Sequence, residues 1–107
     1  MATDDETLAT YLAEVVLFRP YDLADEQRLA RLAAQGDRES RDRLVETYLD
    51  RVARIAQELA PSSMRPLDAI QEANIVVVRA IAEGLCAPDL EPELRTRVAA
   101  AFERFAQ

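Results

Sequence analysis

Residues 67–81 carry the side-chain types best suited to chemistry at a protein surface. A helix turns through about 100° per residue, so this segment would place polar and apolar residues together on its outward face. That face would hold two carboxylates, an amide, an isoleucine and an arginine: Asp68, Gln71, Glu72, Ile75 and Arg79. Carboxylates one helical turn apart are strong, charge-assisted acceptors for basic side chains. The pattern therefore predicts a surface that docks another protein.

The opposite face of the same helix is predicted to be apolar and buried. It contains Ile70, Ala73, Val77 and Ile81, with Asn74 and Val78 on one shoulder and Val76 on the other. The alternative interpretation is an ordinary solvated helical face, because most exposed charges do nothing specific.

Composition indicates a single helical domain over residues 1–107. Half of the residues are apolar, only two are glycine, and alanine and leucine are abundant, which favours an all-α fold with a modest core. The net charge is −7 and all thirteen basic residues are arginine, so the chain is not expected to bind free DNA. No apolar run is long enough to span a bilayer, and the acidic start is unlike a secretory signal. We expect a cytoplasmic protein without membrane contact.

Catalytic chemistry is not indicated. The chain has no histidine and a single cysteine, Cys86, so a zinc site or a histidine-based catalytic apparatus is not expected, and no intramolecular disulfide can form. No nucleophile lies beside a base, and no glycine-rich phosphate loop or metal-ligand spacing occurs. The sequence predicts a non-enzyme with no cofactor and no bound metal.

Five helical segments can be read from apolar periodicity and helix-end signals, and together they predict a compact helical bundle. They span residues 4–18, 23–35, 37–59, 67–83 and 90–105. Thr3 and Glu6 form a capping-box pattern, and Gly36 and Gly84 are predicted C-terminal stops. Three aspartates are predicted N-caps: Asp22, Asp37 and Asp89. In the last helix, Phe102 and Phe105 are predicted to be core residues because they share a helical spacing with Leu94, Val98 and Ala101.

The sequence of residues 67–81 resembles that of the core-binding helix of bacterial RNA polymerase sigma factors of the sigma-70 family, written "LDLIQEGNIGLxxAV". Seven of the nine residues from Leu67 to Ile75 coincide with that motif. Three upstream stretches are similar to regions 1.2 and 2.1 of the same family: "YLAEV" from Tyr11, "DLADE" from Asp22, and "RDRLVETYLDRVARIAQEL" from Arg41. The resemblance covers about residues 8–83 in order and implies a fold like sigma domain 2.

The chain departs from the family after this point. Sigma factors continue into regions 2.3 and 2.4, where aromatic and basic residues capture promoter bases. Here the stretch of about residues 90–106 diverges, the chain has no tryptophan, and no tyrosine follows Tyr48. Two glycines of the motif are replaced by Ala73 and Val76.

The resemblance implies a sigma-like transcription accessory protein that docks on the β′ clamp helices of core RNA polymerase without reading a promoter. The core-polymerase-binding residues that it implies are Asp68, Gln71, Glu72, Asn74, Ile75 and Val78. One alternative is a sigma-derived scaffold that no longer binds polymerase and acts as a homodimer or as a decoy for an anti-sigma-like protein. A third is an orphan sigma factor with a degenerate DNA-reading end.

Overall fold

The described part of the chain folds as an all-α bundle of five helices, as the sequence predicts. The computed structural model describes residues 3–15, 23–86 and 88–105. The helices are α1 (Asp4–Val15), α2 (Leu23–Ala34), α3 (Arg38–Leu59), α4 (Pro66–Ala82) and α5 (Leu90–Phe102), and a 3₁₀ turn (Glu103–Phe105), here called the C-terminal turn, follows α5. Residues 16–18 of the predicted first helix lie outside the described residues. Among the helices described, none is long and apolar enough to cross a membrane.

Helix α3 lies at the centre of the bundle and packs against each of the other four helices. Eight apolar residues of this helix recur in the sequence at spacings of three and four, which predicts one buried stripe. Five of them are buried, Leu44, Tyr48, Val52, Ile55 and Ala56, and the other three are partly buried, Val45, Leu49 and Leu59. Helix α4 is its most extensive neighbour. Apolar residues at spacings of three and four let one side of α3 enter the core while its other side stays in water.

The inner face of α4 is completely buried, and this confirms the predicted inward set. The buried residues are Ala69, Ile70, Ala73, Val77, Ala80 and Ile81. Half of them are alanine, and small side chains let two helices approach closely. Pro66 begins the helix at a position where its missing N–H is not needed, and it holds Arg65 in an extended conformation.

Two helices end where the sequence predicts, because the only two glycines of the chain close them. Gly36 and Gly84 have φ values of 96° and 92°, a left-handed conformation that glycine adopts without steric cost. After α2, the Asp37 N–H donates to the Leu32 carbonyl at 3.0 Å. After α4, the Leu85 N–H donates to the Ala80 carbonyl at 3.1 Å. Both ends are Schellman motifs.

The predicted N-terminal caps have mixed outcomes. The capping box of α1 is confirmed, because the Thr3 N–H donates to Glu6 and the Glu6 N–H donates to the Thr3 hydroxyl oxygen at 3.1 Å. Asp37 and Asp89 occupy the N-cap positions of α3 and α5, as predicted, but neither side chain accepts a backbone hydrogen bond there. Asp37 instead accepts a hydrogen bond from the Ser40 hydroxyl, and Asp89 has a helical backbone conformation rather than the extended one of a cap. Asp22 lies outside the described residues.

One carboxylate enters the core, and it is satisfied there by two neighbours on α3. Glu26 on α2 is only 3% exposed, and its carboxylate accepts a hydrogen bond from the Tyr48 hydroxyl at 3.0 Å. Arg51 lies 3.6 Å from the same carboxylate, and its guanidinium stacks over the Tyr48 ring at 4.6 Å from the centroid. A buried charge is tolerated only with such partners, so this network fixes how α2 packs on α3.

We expect Tyr48→Phe to lower the free energy of unfolding by about 1–3 kcal/mol, because it removes a hydrogen bond to a buried carboxylate. Urea denaturation followed by circular dichroism measures the change. Arg54→Ala, at an exposed position of the same helix, is the control and should change stability by no more than about 0.5 kcal/mol. Equal stability of the wild type and Tyr48→Phe would contradict a stabilising role for this network.

The same tyrosine makes stability depend on alkaline pH. Burial and the nearby Glu26 carboxylate raise the pKa of Tyr48 above its usual value, so the folded protein keeps the phenol proton to a higher pH than the unfolded chain does. This contribution is fully present below the unfolded pKa of about 10 and is lost as the pH rises above it. We expect the free energy of unfolding of the wild type to fall above about pH 10 more steeply than that of Tyr48→Phe. Parallel slopes in urea titrations at several pH values would contradict this.

Candidate docking site

The outer face of α4 presents most of the predicted site residues to solvent. Asp68 and Gln71 are exposed and Glu72 is partly covered. One turn further along, Ile75 is 46% exposed and Val78 is 40% exposed, and the two together form an apolar patch of the kind that marks interaction sites. The face therefore has a polar N-terminal half and an apolar C-terminal half.

The polar half lines an open cleft of about 280 Å³, here called the α4 cleft. The helix contributes its predicted acceptors to one wall. The loop before α4 and the C-terminal turn form the rest. The lining residues are Ser63, Met64, Arg65, Asp68, Gln71, Glu72 and Phe105. Carboxylate and amide oxygens thus lie beside a thioether and an aromatic ring, a combination suited to a long basic side chain with an apolar stem.

The apolar half lines a second, shallower depression of about 290 Å³. Asn74, Ile75, Val78 and Arg79 surround it. The six predicted site residues are therefore divided between two adjacent depressions on one helix, three in each. An aliphatic patch beside a polar cleft is typical of surfaces that bind a partner helix, where apolar contacts supply affinity and polar contacts fix the register.

Both predicted carboxylate acceptors already lie beside arginines of the same chain. Arg65 Nε donates to an Asp68 carboxylate oxygen at 3.4 Å, and the same guanidinium pairs with Asp4 on α1 at 3.1 Å. Arg104 on the C-terminal turn lies 3.7 Å from the Glu72 carboxylate. The outer face of α4 is therefore less negative than its sequence indicates, because each acidic group is partly neutralised from a neighbouring element.

Asn74 is turned toward the bundle and contacts α1. Its Nδ2 donates to the Tyr11 hydroxyl oxygen at 3.2 Å. Its Oδ1 is buried, and no donor in the described part of the chain reaches it. The amide has two polar groups and Tyr11 satisfies one of them, so Asn74 joins α1 to α4 while its carbonyl oxygen stays buried.

Phe105 differs from its prediction and belongs to the site. Phe102 is buried as predicted, but Phe105 is 39% exposed. The helical pattern continues to Phe105 in the sequence, whereas the chain tightens into a 3₁₀ turn with about 3.0 residues per turn, which changes the direction of the side chain. The Ser63 hydroxyl donates to the Phe105 carbonyl at 2.9 Å and ties the turn to the loop before α4.

No local pattern in the sequence predicts the other residues of the site. Ser63, Met64 and Arg65 lie in a linker rich in breakers, and Arg104, at the edge of the cleft beside Glu72, lies on the last helical segment. They meet the helix only because the bundle brings the end of α5 against the start of α4, and contacts between residues about forty positions apart cannot be read from local periodicity.

We expect the contact between Tyr11 and Asn74 to stabilise the attachment of α1. Tyr11→Phe should lower the free energy of unfolding by about 0.5–1.5 kcal/mol, since it removes a neutral hydrogen bond. A double-mutant cycle with Asn74→Ala should give a coupling of similar size. The control cycle pairs Asn74→Ala with Thr10→Ala, whose hydroxyl bonds to its own helix, and should show no coupling. Additivity of the first pair would contradict the contact.

No protein-family model matches the chain, and a search of curated proteins finds no match either. The likeness to sigma factors therefore rests on the residues of α1 to α4 that were quoted for it, and on no independent relative.

Proposed function

We propose that this protein is a sigma-like transcription accessory protein that docks the outer face of α4 on the β′ clamp helices of core RNA polymerase and does not read a promoter. The observation that carries the proposal is that four of the predicted site residues are exposed along one strip of α4, while the other side of the helix is buried in the core. The exposed residues are Asp68, Gln71, Ile75 and Val78. Such a protein would act in the bacterial cytoplasm as a competitor of sigma factors or as a tether.

The chemistry of the strip suits a basic helical partner. Asp68 and Glu72 can accept charge-assisted hydrogen bonds from arginines, and the Gln71 amide can both donate and accept. Ile75 and Val78 offer apolar surface that loses contact with water on docking, worth about 25 cal/mol for each Å² removed from water. Asn74, which is held by Tyr11, would contribute at the edge of the contact.

The end of the bundle supports the absence of promoter reading. Phe102 is buried among core residues and is not presented to a base. Arg95 pairs with Glu58 at 2.7 Å, and Arg97 pairs with Glu83 at 2.6 Å, so these two arginines of α5 form ion pairs within the bundle. With a net charge of −7, the chain has the wrong balance for holding DNA through phosphate contacts. We infer a binding protein rather than an enzyme.

A second candidate is a homodimer formed through the same face. In an antiparallel pair of α4 helices related by a two-fold axis at Ile75, the apolar depressions would meet. Glu72 of each copy would then lie near Arg79 of the other, because these residues are three and four positions on either side of the axis. The exposure of Ile75 and Val78 favours this candidate. Docking of an anti-sigma-like protein would use the same surface.

We expect the wild type to bind an isolated β′ clamp-helix fragment with micromolar affinity in calorimetry. Gln71→Ala and Glu72→Arg should each weaken binding roughly tenfold, because each removes a partner group from the polar half of the face. Glu46→Arg is the matched control: it makes the same charge change at an exposed position of α3 and should leave the affinity within about twofold.

Sedimentation velocity on the same proteins separates the two candidates. A wild type that stays monomeric at high micromolar concentration and binds the fragment supports polymerase docking. A wild type that dimerises, loses the dimer on Ile75→Asp and ignores the fragment contradicts docking and favours the homodimer. If Glu46→Arg weakened fragment binding as much as Glu72→Arg, the affinity would depend on net charge rather than on the outer face of α4, and this would contradict docking through that face.

A further inference from the structure

An arginine of the chain itself, Arg104, lies at the edge of the α4 cleft and pairs with one of the acids that line it. Arg104 reaches from the C-terminal turn toward Glu72, with 3.7 Å between its Nη2 and the carboxylate oxygen. Its guanidinium lies 5.8 Å from the Phe105 ring centroid, within the range of a cation–π contact. Its Nε donates to the Ala101 carbonyl at 3.4 Å. One guanidinium at the edge of the cleft therefore lies near both an acidic and an aromatic residue of its lining.

The position of the turn is fastened independently of this arginine. The Ser63 hydroxyl holds the Phe105 carbonyl at 2.9 Å, so the aromatic wall would stay beside Gln71 and Glu72 if Arg104 were removed. Arg104 itself is held weakly. Its side chain is 72% exposed, and 3.7 Å is longer than a hydrogen bond. An exposed pair of this kind contributes little to stability.

We propose that the α4 cleft is a binding site for an arginine side chain, and that Arg104 is its intramolecular ligand, which an arginine of a binding partner displaces. Glu72 and Gln71 would accept from the incoming guanidinium, while Phe105 and Met64 would cover its apolar stem. The identity of the partner rests on the proposed function, but the chemistry of the cleft does not.

This arrangement makes the docking face partly self-masked. A partner arginine gains its contact with Glu72 only by releasing Arg104 into water, and this exchange costs little because Arg104 is exposed and loosely paired. A partner arginine placed by a rigid helix can donate two parallel hydrogen bonds to the carboxylate, which a lysine cannot do. The cleft should therefore select arginine over lysine.

The direct test titrates N-acetyl-arginine amide into labelled protein and follows the Gln71 side-chain amide and the Phe105 ring by NMR. We expect Arg104→Ala to bind the amide at least threefold more tightly than the wild type. N-acetyl-lysine amide should bind more weakly than the arginine compound to the same variant. Arg54→Ala is the matched control, since it removes the same charge from an exposed pair with Asp50 on α3, and it should behave like the wild type.

The second arm uses the β′ clamp-helix fragment with the same three proteins. Arg104→Ala should strengthen fragment binding roughly two- to fivefold over Arg54→Ala, the effect of removing one exposed competing pair. If no protein binds the fragment but Arg104→Ala still binds the arginine amide more tightly, polymerase docking fails and the arginine site stands. Absence of amide binding, or equal effects of Arg104→Ala and Arg54→Ala, overturns the arginine site.

Discussion

The burial of the inner face of α4 against α3 fixes the rotation of this helix and therefore determines which side chains its outer face presents to solvent. The six inner residues of α4 are at most 2% exposed, so the helix cannot rotate without breaking the core. A rotation by one residue position, about 100°, would carry polar groups into an apolar environment, where an unpaired charge is very costly. Glu26, the buried acid of the described chain, shows what such a placement requires, namely Tyr48 and Arg51 as partners.

The features that follow from local periodicity and from glycine could be predicted from the sequence. The inward set of α4, the stripe of α3 and the two Schellman ends depend on residues within a few positions of one another, and all of them are found in the structure. The side chains of Asp37 and Asp89 do not form the expected capping hydrogen bonds, for local reasons that composition does not reveal: the Asp37 carboxylate accepts from Ser40, and the helical backbone of Asp89 leaves no capping geometry.

The candidate site could be predicted only in part, because it is assembled from segments distant in the sequence. Its helical wall was evident from the alternation of acidic, amide and aliphatic residues. Its other walls come from the loop before α4 and from the C-terminal turn, and the exposed position of Phe105 depends on a change from α to 3₁₀ winding. The contact of Asn74 with Tyr11 likewise joins residues 63 positions apart, and it makes α1 part of the support of the site.

The intramolecular ion pairs of Arg104 and Arg65 reduce the share of the binding free energy that the charged half of the face can contribute. If a partner arginine replaces Arg104 beside Glu72, or Arg65 beside Asp68, one ion pair is exchanged for another and the number of pairs stays nearly constant. Exposed pairs contribute little in any case, so the net gain in affinity from the charged half would be small, although removing or reversing one of its groups leaves a partner unpaired and weakens binding. Most of the favourable free energy would then come from Ile75 and Val78, whose apolar area no element of the described bundle covers fully. An acidic face that is already neutralised internally also attracts basic chains less strongly at long range, so the fit of the aliphatic patch would decide which partner stays bound.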